Sequence, residues 1–90
     1  MNKSLSPIFV KVEDNEYVAD MTLSGDMYLS AKLPVQGKLA IRHINKGKSP
    51  IVLASTLADD FQVRIFGDTK DARISIHFTA MPTECTLYNI

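Results

Sequence analysis

The stretch FQVRIFGDTKDARISIHFTA, Phe61 to Ala80, decides the fold class. Phe61, Val63 and Ile65 alternate with Gln62, Arg64 and Phe66. Beyond a polar turn, Ala72, Ile74, Ile76, Phe78 and Ala80 alternate with Arg73, Ser75, His77 and Thr79. A period of two is that of a β-strand, which turns successive side chains to opposite faces. The two runs predict a β-hairpin with an apolar inner face and a polar outer face. The preferred register sets Phe61 against Phe78, Val63 against Ile76, Ile65 against Ile74 and Phe66 against Arg73. A tighter turn would set Arg64 against Arg73, placing like charges opposite each other. An arginine over a phenylalanine ring instead gains about 0.5 to 1 kcal/mol even when exposed, which favours the first register.

Upstream, Met1 to Ser6 is polar and reads as a loose N-terminal arm. Ile8, Val10 and Val12 alternate with Phe9, Lys11 and Glu13, and Glu13-Asp14-Asn15-Glu16 is a turn in which Asp or Asn adopts a left-handed backbone. Tyr17 to Leu23 is the return strand. Ser24-Gly25-Asp26 breaks it, since glycine supplies the positive φ of a tight turn. Met27 to Leu33 is a third strand, ended by Pro34 to Gly37. Lys38 to Ile44 is a fourth, with Leu39 and Ile41 inward. His43 would share that inward side, so the regular strand is expected to end near Arg42 or to bulge there.

Asn45 to Pro50 is a loop by composition. Ile51 to Ala58 lacks alternation: Ser49-Pro50 could cap a short helix, but Ile51-Val52-Leu53 favours a buried strand, followed by a loop at Asp59-Asp60. Met81 to Glu84 is a turn and Cys85 to Ile90 a last strand. Gly25-Asp26 and Gly67-Asp68 each follow a strand, but their flanks do not align as a repeat. The expected fold is therefore all-β with little helix, an antiparallel, jelly-roll-like β-sandwich or a flattened barrel of roughly seven to nine short strands.

The bulk numbers bound the function. The chain has 90 residues, 46% hydrophobic, with 10 basic and 10 acidic side chains. It is read as one domain spanning residues 1–90. A domain of this size hides about 60 to 65% of its unfolded surface, so its core is thin and self-association would supplement it. Cys85 is the single cysteine, which leaves no internal disulfide. The first residues lack the apolar run of a signal peptide, and no stretch is apolar for the length of a membrane span. The expectation is a soluble protein made in the cytoplasm, open to incorporation into an extracellular or virion assembly. Asn2-Lys3-Ser4 fits a glycosylation triplet that is common by chance.

Net neutrality conceals two blocks. Five acids and no base lie between Glu13 and Asp26, and Lys32, Lys38, Arg42, Lys46 and Lys48 with no acid lie between Met27 and Ala58. Neighbouring strands can pair these signs within one subunit; alternatively, the acidic edge of one copy docks the basic segment of the next.

Three chemistries are weighed against this background. His43, His77 and Cys85 lack the short spacing of a zinc motif, and Asp59, Asp60, Asp68 and Asp71 match no calcium loop, so no metal or cofactor is expected. A Cys85–His77 dyad would need a third, orienting group, and Ser24, Ser30, Ser55 and Ser75 stand in no nucleophile-elbow context, so no catalytic residue is assigned. Tyr28, Phe9 and Phe66 fall opposite the expected core, as aromatics at an interface do. The candidate interaction surface is Arg42, Arg64, Phe66, Arg73 and His77. It suits a homo-oligomerising, non-enzymatic structural module, by analogy of fold and size a subunit of a virion, tail or surface assembly. The alternatives are a binder of single-stranded nucleic acid or another polyanion, and a small-ligand or glycan-binding module.

Overall fold

A computed structural model describes residues 4–23, 25–44, 50–65 and 73–89, with the backbone alone for residues 4, 50–56 and 89. It contains seven strands: β1 (Ser4–Leu5), β2 (Val10–Glu13), β3 (Glu16–Thr22), β4 (Met27–His43), β5 (Pro50–Ile65), β6 (Arg73–Phe78) and β7 (Glu84–Asn89). They form one antiparallel sheet in the order β1-β7-β4-β6-β3-β2, with β5 on the other side of β4. The sheet does not close into a barrel. The all-β expectation holds, and among the described residues there is no helix, hence none long and apolar enough to cross a membrane.

β4 organises the whole. Its first part pairs with β5 (Met27 with Ile65, Ala31 with Phe61) and with β7 (Leu29 with Leu87, Lys32 with Glu84). Its last part pairs with β5 again (Ile41 with Val52) and with β6 (Leu39 with Phe78, Ile41 with Ile76). A straight strand of 17 residues would measure about 56 Å at about 3.3 Å per residue. The molecule is 33 Å in its longest dimension, so β4 must fold over.

It does so at a crease that every neighbouring strand shares. Between the pairs Lys32–Asp60 and Gly37–Ala58, Leu33 to Gln36 of β4 stand against Asp59 alone; between Gly37–Ala58 and Leu39–Ala54, Ser55 to Leu57 of β5 stand against Lys38. Opposed bulges of this kind bend a ladder without ending it. At the same level β6 gives way to β7. The Lys38 N–H donates to Thr79 Oγ1 (2.9 Å), and the Thr83 N–H donates to the Lys32 carbonyl (2.8 Å). Gly37 allows this close approach: a Cβ would lie 2.5 Å from Thr79 Oγ1 and 2.8 Å from Leu33 Cδ1, so that one of those side chains would have to shift.

The concave face is the core. Met27, Leu29, Ala31, Leu33, Leu39 and Ile41 of β4 are buried with Phe61 and Ile65 of β5, Ile74, Ile76 and Phe78 of β6, and Leu87 of β7. Full burial of each large apolar side chain is worth about 1.5 to 3 kcal/mol, which is what holds the crease shut.

Several sequence expectations are corrected here. The hairpin of Phe61–Phe66 with Ala72–Ala80 does not form in either register: Phe61 to Ile65 pair with β4, while Arg73 to Phe78 lie between β3 and β4. Both runs keep their apolar face inward, and the Phe61 and Phe78 rings still meet at 5.5 Å, as residues of opposite halves packed across the core. The third and fourth strands are one strand, since Pro34 sits in a bulge, where no ladder N–H is needed. Asp59-Asp60 is not a loop but part of β5. Phe9 does not face outward; its ring packs on Phe78 at 5.5 Å. Ile51 to Ala58 is strand, and β4 reaches His43, with a register shift between Ile41 and Arg42. Asn15 (φ 62°) and Gly25 (φ 86°) take the left-handed conformations expected of their turns. Ser4 and Leu5 of the N-terminal arm pair with Tyr88 and Leu87. Residues 45–49 of the expected basic loop lie outside the described residues.

Candidate interaction surface

The convex face of the β3-β6-β4 half carries three of the five predicted residues. Cross-strand rows read Val18–His77–Ala40, Asp20–Ser75–Arg42 and Thr22–Arg73. Arg42, Arg73 and His77 thus share a face, with the exposed Asp20 among them. Arg64 stands apart, opposite Tyr28 at the other end of the β4-β5 ladder. Phe66, and with it the expected Phe66–Arg73 contact, lies outside the described residues.

Ser75 Oγ lies 2.9 Å from His77 Nε2, a contact that residues two apart on one strand face make readily. It resembles half of a nucleophile–base pair, but its setting works against acyl transfer. β6 is an interior strand, so its backbone N–H groups are committed to ladders with β3 and β4. An oxyanion needs donors aimed at it, and an interior strand has none to spare. The arrangement fits a half-buried hydrogen bond between neighbours on one strand face.

The other half is organised along its rows. Across β7, β4 and β5 the convex face reads Glu84–Lys32–Asp60, then Thr86–Ser30–Gln62, then Tyr88–Tyr28–Arg64. In the first row charges alternate, and Lys32 Nζ stands 4.0 Å from Glu84 Oε2. In the second, Gln62 Nε2 donates to Ser30 Oγ (3.0 Å) and to Asp60 Oδ1 (2.9 Å). In the third, the tyrosine rings lie 6.4 Å apart. Each row ends at β5, which among the described residues pairs with β4 alone. Its far edge therefore presents backbone donors and acceptors on both sides of the bulge at Ser55 to Leu57, with Asp60 to Ile65 as the regular run.

The grouping of Lys32, Asp60, Gln62 and Glu84 escaped the sequence reading because Asp59-Asp60 resembled a loop and Glu84 the end of a turn. Their signal was parity: Asp60, Gln62 and Arg64 continue one alternation.

The thiol and imidazoles do not converge. Cys85 is on the inner side of β7, opposite Ala31, whereas His77 is on the convex face of β6, which rules out the Cys85–His77 dyad. Burial pushes the Cys85 thiol up to about 12, so its nucleophilic thiolate is scarce at neutral pH. His43 points to the inner rim with Nδ1 buried and without a hydrogen-bond partner. Among the described residues no three His, Cys, Asp or Glu side chains stand close enough to hold a metal ion. Asp59 and Asp60 are exposed on β5, and Asp68 and Asp71 lie outside the described residues. A groove of about 530 Å³ runs beside the start of β7, lined by Pro7, Phe9, Lys32, Met81, Pro82 and Cys85.

No protein-family model, curated protein or solved structure matches the chain.

Proposed function

We propose that this protein is a non-enzymatic structural module that works by associating with copies of itself. The observation that carries the reading is the open edge of β5, a long strand that among the described residues has one partner where interior strands have two. Monomeric β-proteins shorten, cover or distort such edges, and a second chain satisfies them most directly. Apolar side chains left at the surface add to the drive: Ile8 is 84% exposed, and Val35, Leu57 and Met81 are all exposed around the crease. In the finer reading, the two halves of the creased sheet serve as the layers of a jelly-roll-like sandwich, and the module belongs with virion, tail or surface-appendage subunits by analogy of fold and size.

Light scattering coupled to gel filtration tests this reading. An oligomer at micromolar concentration is expected, and a monomer at every salt concentration would sink it. The grouping of Arg42, Arg73 and His77 on one face favours a second reading, binding of a polyanion. That reading expects a labelled single-stranded oligonucleotide to bind at low salt and to be released by Arg42→Ala with Arg73→Ala. No binding at low salt would dismiss it.

A further inference from the structure

We propose that two copies pair antiparallel through the edge of β5 about a two-fold axis at Gln62, extending the sheet from one subunit into the next. The inference rests on the self-association reading and assigns its partner surface and register. A two-fold between antiparallel edges sets residue i against a residue of equal parity, so that the convex faces of the two sheets remain continuous. Whole-residue centres alone satisfy this, and the charges choose among them. Centring on Asp60 would oppose Asp60 to its own copy. Centring on Phe61 would set Asp60 against Gln62 and leave Arg64 facing Ala58.

Centring on Gln62 sets Asp60 of each chain against Arg64 of the other, twice. It also opposes Phe61 to Val63 on the concave side. The first row of one subunit then runs into the third row of its partner, Glu84, Lys32, Asp60, Arg64, Tyr28 and Tyr88, with charge alternating in sign through its first four members. Gln62, which holds Asp60 Oδ1 at 2.9 Å, would fix the carboxylate beside the axis. β2 is the poorer edge, because its four residues include a register shift between Lys11 and Glu13, whereas Asp60 to Ile65 of β5 pair without one.

Charge reversal and cross-linking test the register. Asp60→Arg leaves two cations on the edge and Arg64→Asp two anions, so each variant alone should dimerise at least tenfold more weakly than the parent. An equimolar mixture should recover a heterodimer near the parental affinity. Circular dichroism and recovery in the mixture separate this outcome from misfolding. In a Cys85→Ala background, Gln62→Cys should form a homodimer with a short bismaleimide cross-linker, and Thr22→Cys on the other half should not. An oligomer that ignores both charge reversals and does not cross-link at position 62 would overturn this register while leaving self-association standing. A parental chain that stays monomeric overturns both.

Discussion

The Phe61–Ile65 end of β5 and β6 make an instructive pair, because they share one sequence pattern and occupy opposite positions in the sheet. Both alternate bulky apolar residues inward with polar residues outward. β6 lies between β3 and β4, and Ile74, Ile76 and Phe78 are fully enclosed. β5 is an edge strand, and its Val63 is half-buried while Phe61 and Ile65 are covered. Alternation therefore reports that a strand has one wet face; it says nothing of how many neighbours that strand has. Neighbour number decides the energetics, since a central strand has two flanks to close over its side chains.

Stability should follow that difference. Ile76→Ala in the central strand is expected to cost about 2 to 5 kcal/mol, and Val63→Ala in the edge strand about 1 to 2 kcal/mol. Urea unfolding of the two variants measures the gap, and equal losses would break the comparison.

The crease that sends the two strands to different places comes next. Gly37→Ala introduces a methyl against Thr79 Oγ1 and Leu33 Cδ1, and overpacking of this kind costs about 1 to 3 kcal/mol. A loss below about 0.5 kcal/mol on the same scale would mean that the bend tolerates a side chain and does not depend on glycine.

The smallest effect concerns Cys85, at the β7 end of the inner row that runs through Ala31 to Phe61 of β5. Its thiol is raised from 9.0 to about 12 by burial, so the unfolded chain loses the proton first. The stabilising contribution of the half-buried thiol is complete below pH 9 and declines as pH rises toward 12. The stability difference between the parent and Cys85→Ala should therefore shrink between pH 8 and pH 10.5, as followed by urea unfolding at each pH. A difference that stays constant would place the thiol in water, in the groove beside β7.

Much of the fold was legible in the sequence for local reasons. The alternation of Met27 to Leu33 and of Arg73 to Phe78, and the turns at Asn15 and Gly25, are set by residues within a few positions of one another. Pairing was not legible, because it depends on where a chain returns after many residues. Phe61–Phe78 illustrates the difference: the two rings were expected to meet as cross-strand neighbours, and they meet across the core from opposite halves. Pro34 misled for a related reason, since a proline stops a regular ladder and is equally at home in a bulge. The candidate surface fared similarly. Parity puts Arg42, Arg64, Arg73 and His77 on the convex side, but it was the unforeseen pairing of β4 with β6 that brought Arg42 beside Arg73 and His77, whereas Arg64 followed β5 to the other end of the ladder.

The shared crease also governs how the chain reaches its native state. β4 and β5 run through both halves, so neither half owns a complete set of strands and neither can be excised or melt alone. The remaining strands close over β4 only after long stretches of chain have returned, as when Thr83 bonds to Lys32 across 51 positions. Such non-local closure must be achieved before burial rewards it, which places folding in the millisecond-to-second range of β-rich domains. Once assembled, the molecule should rise and fall as a single cooperative unit.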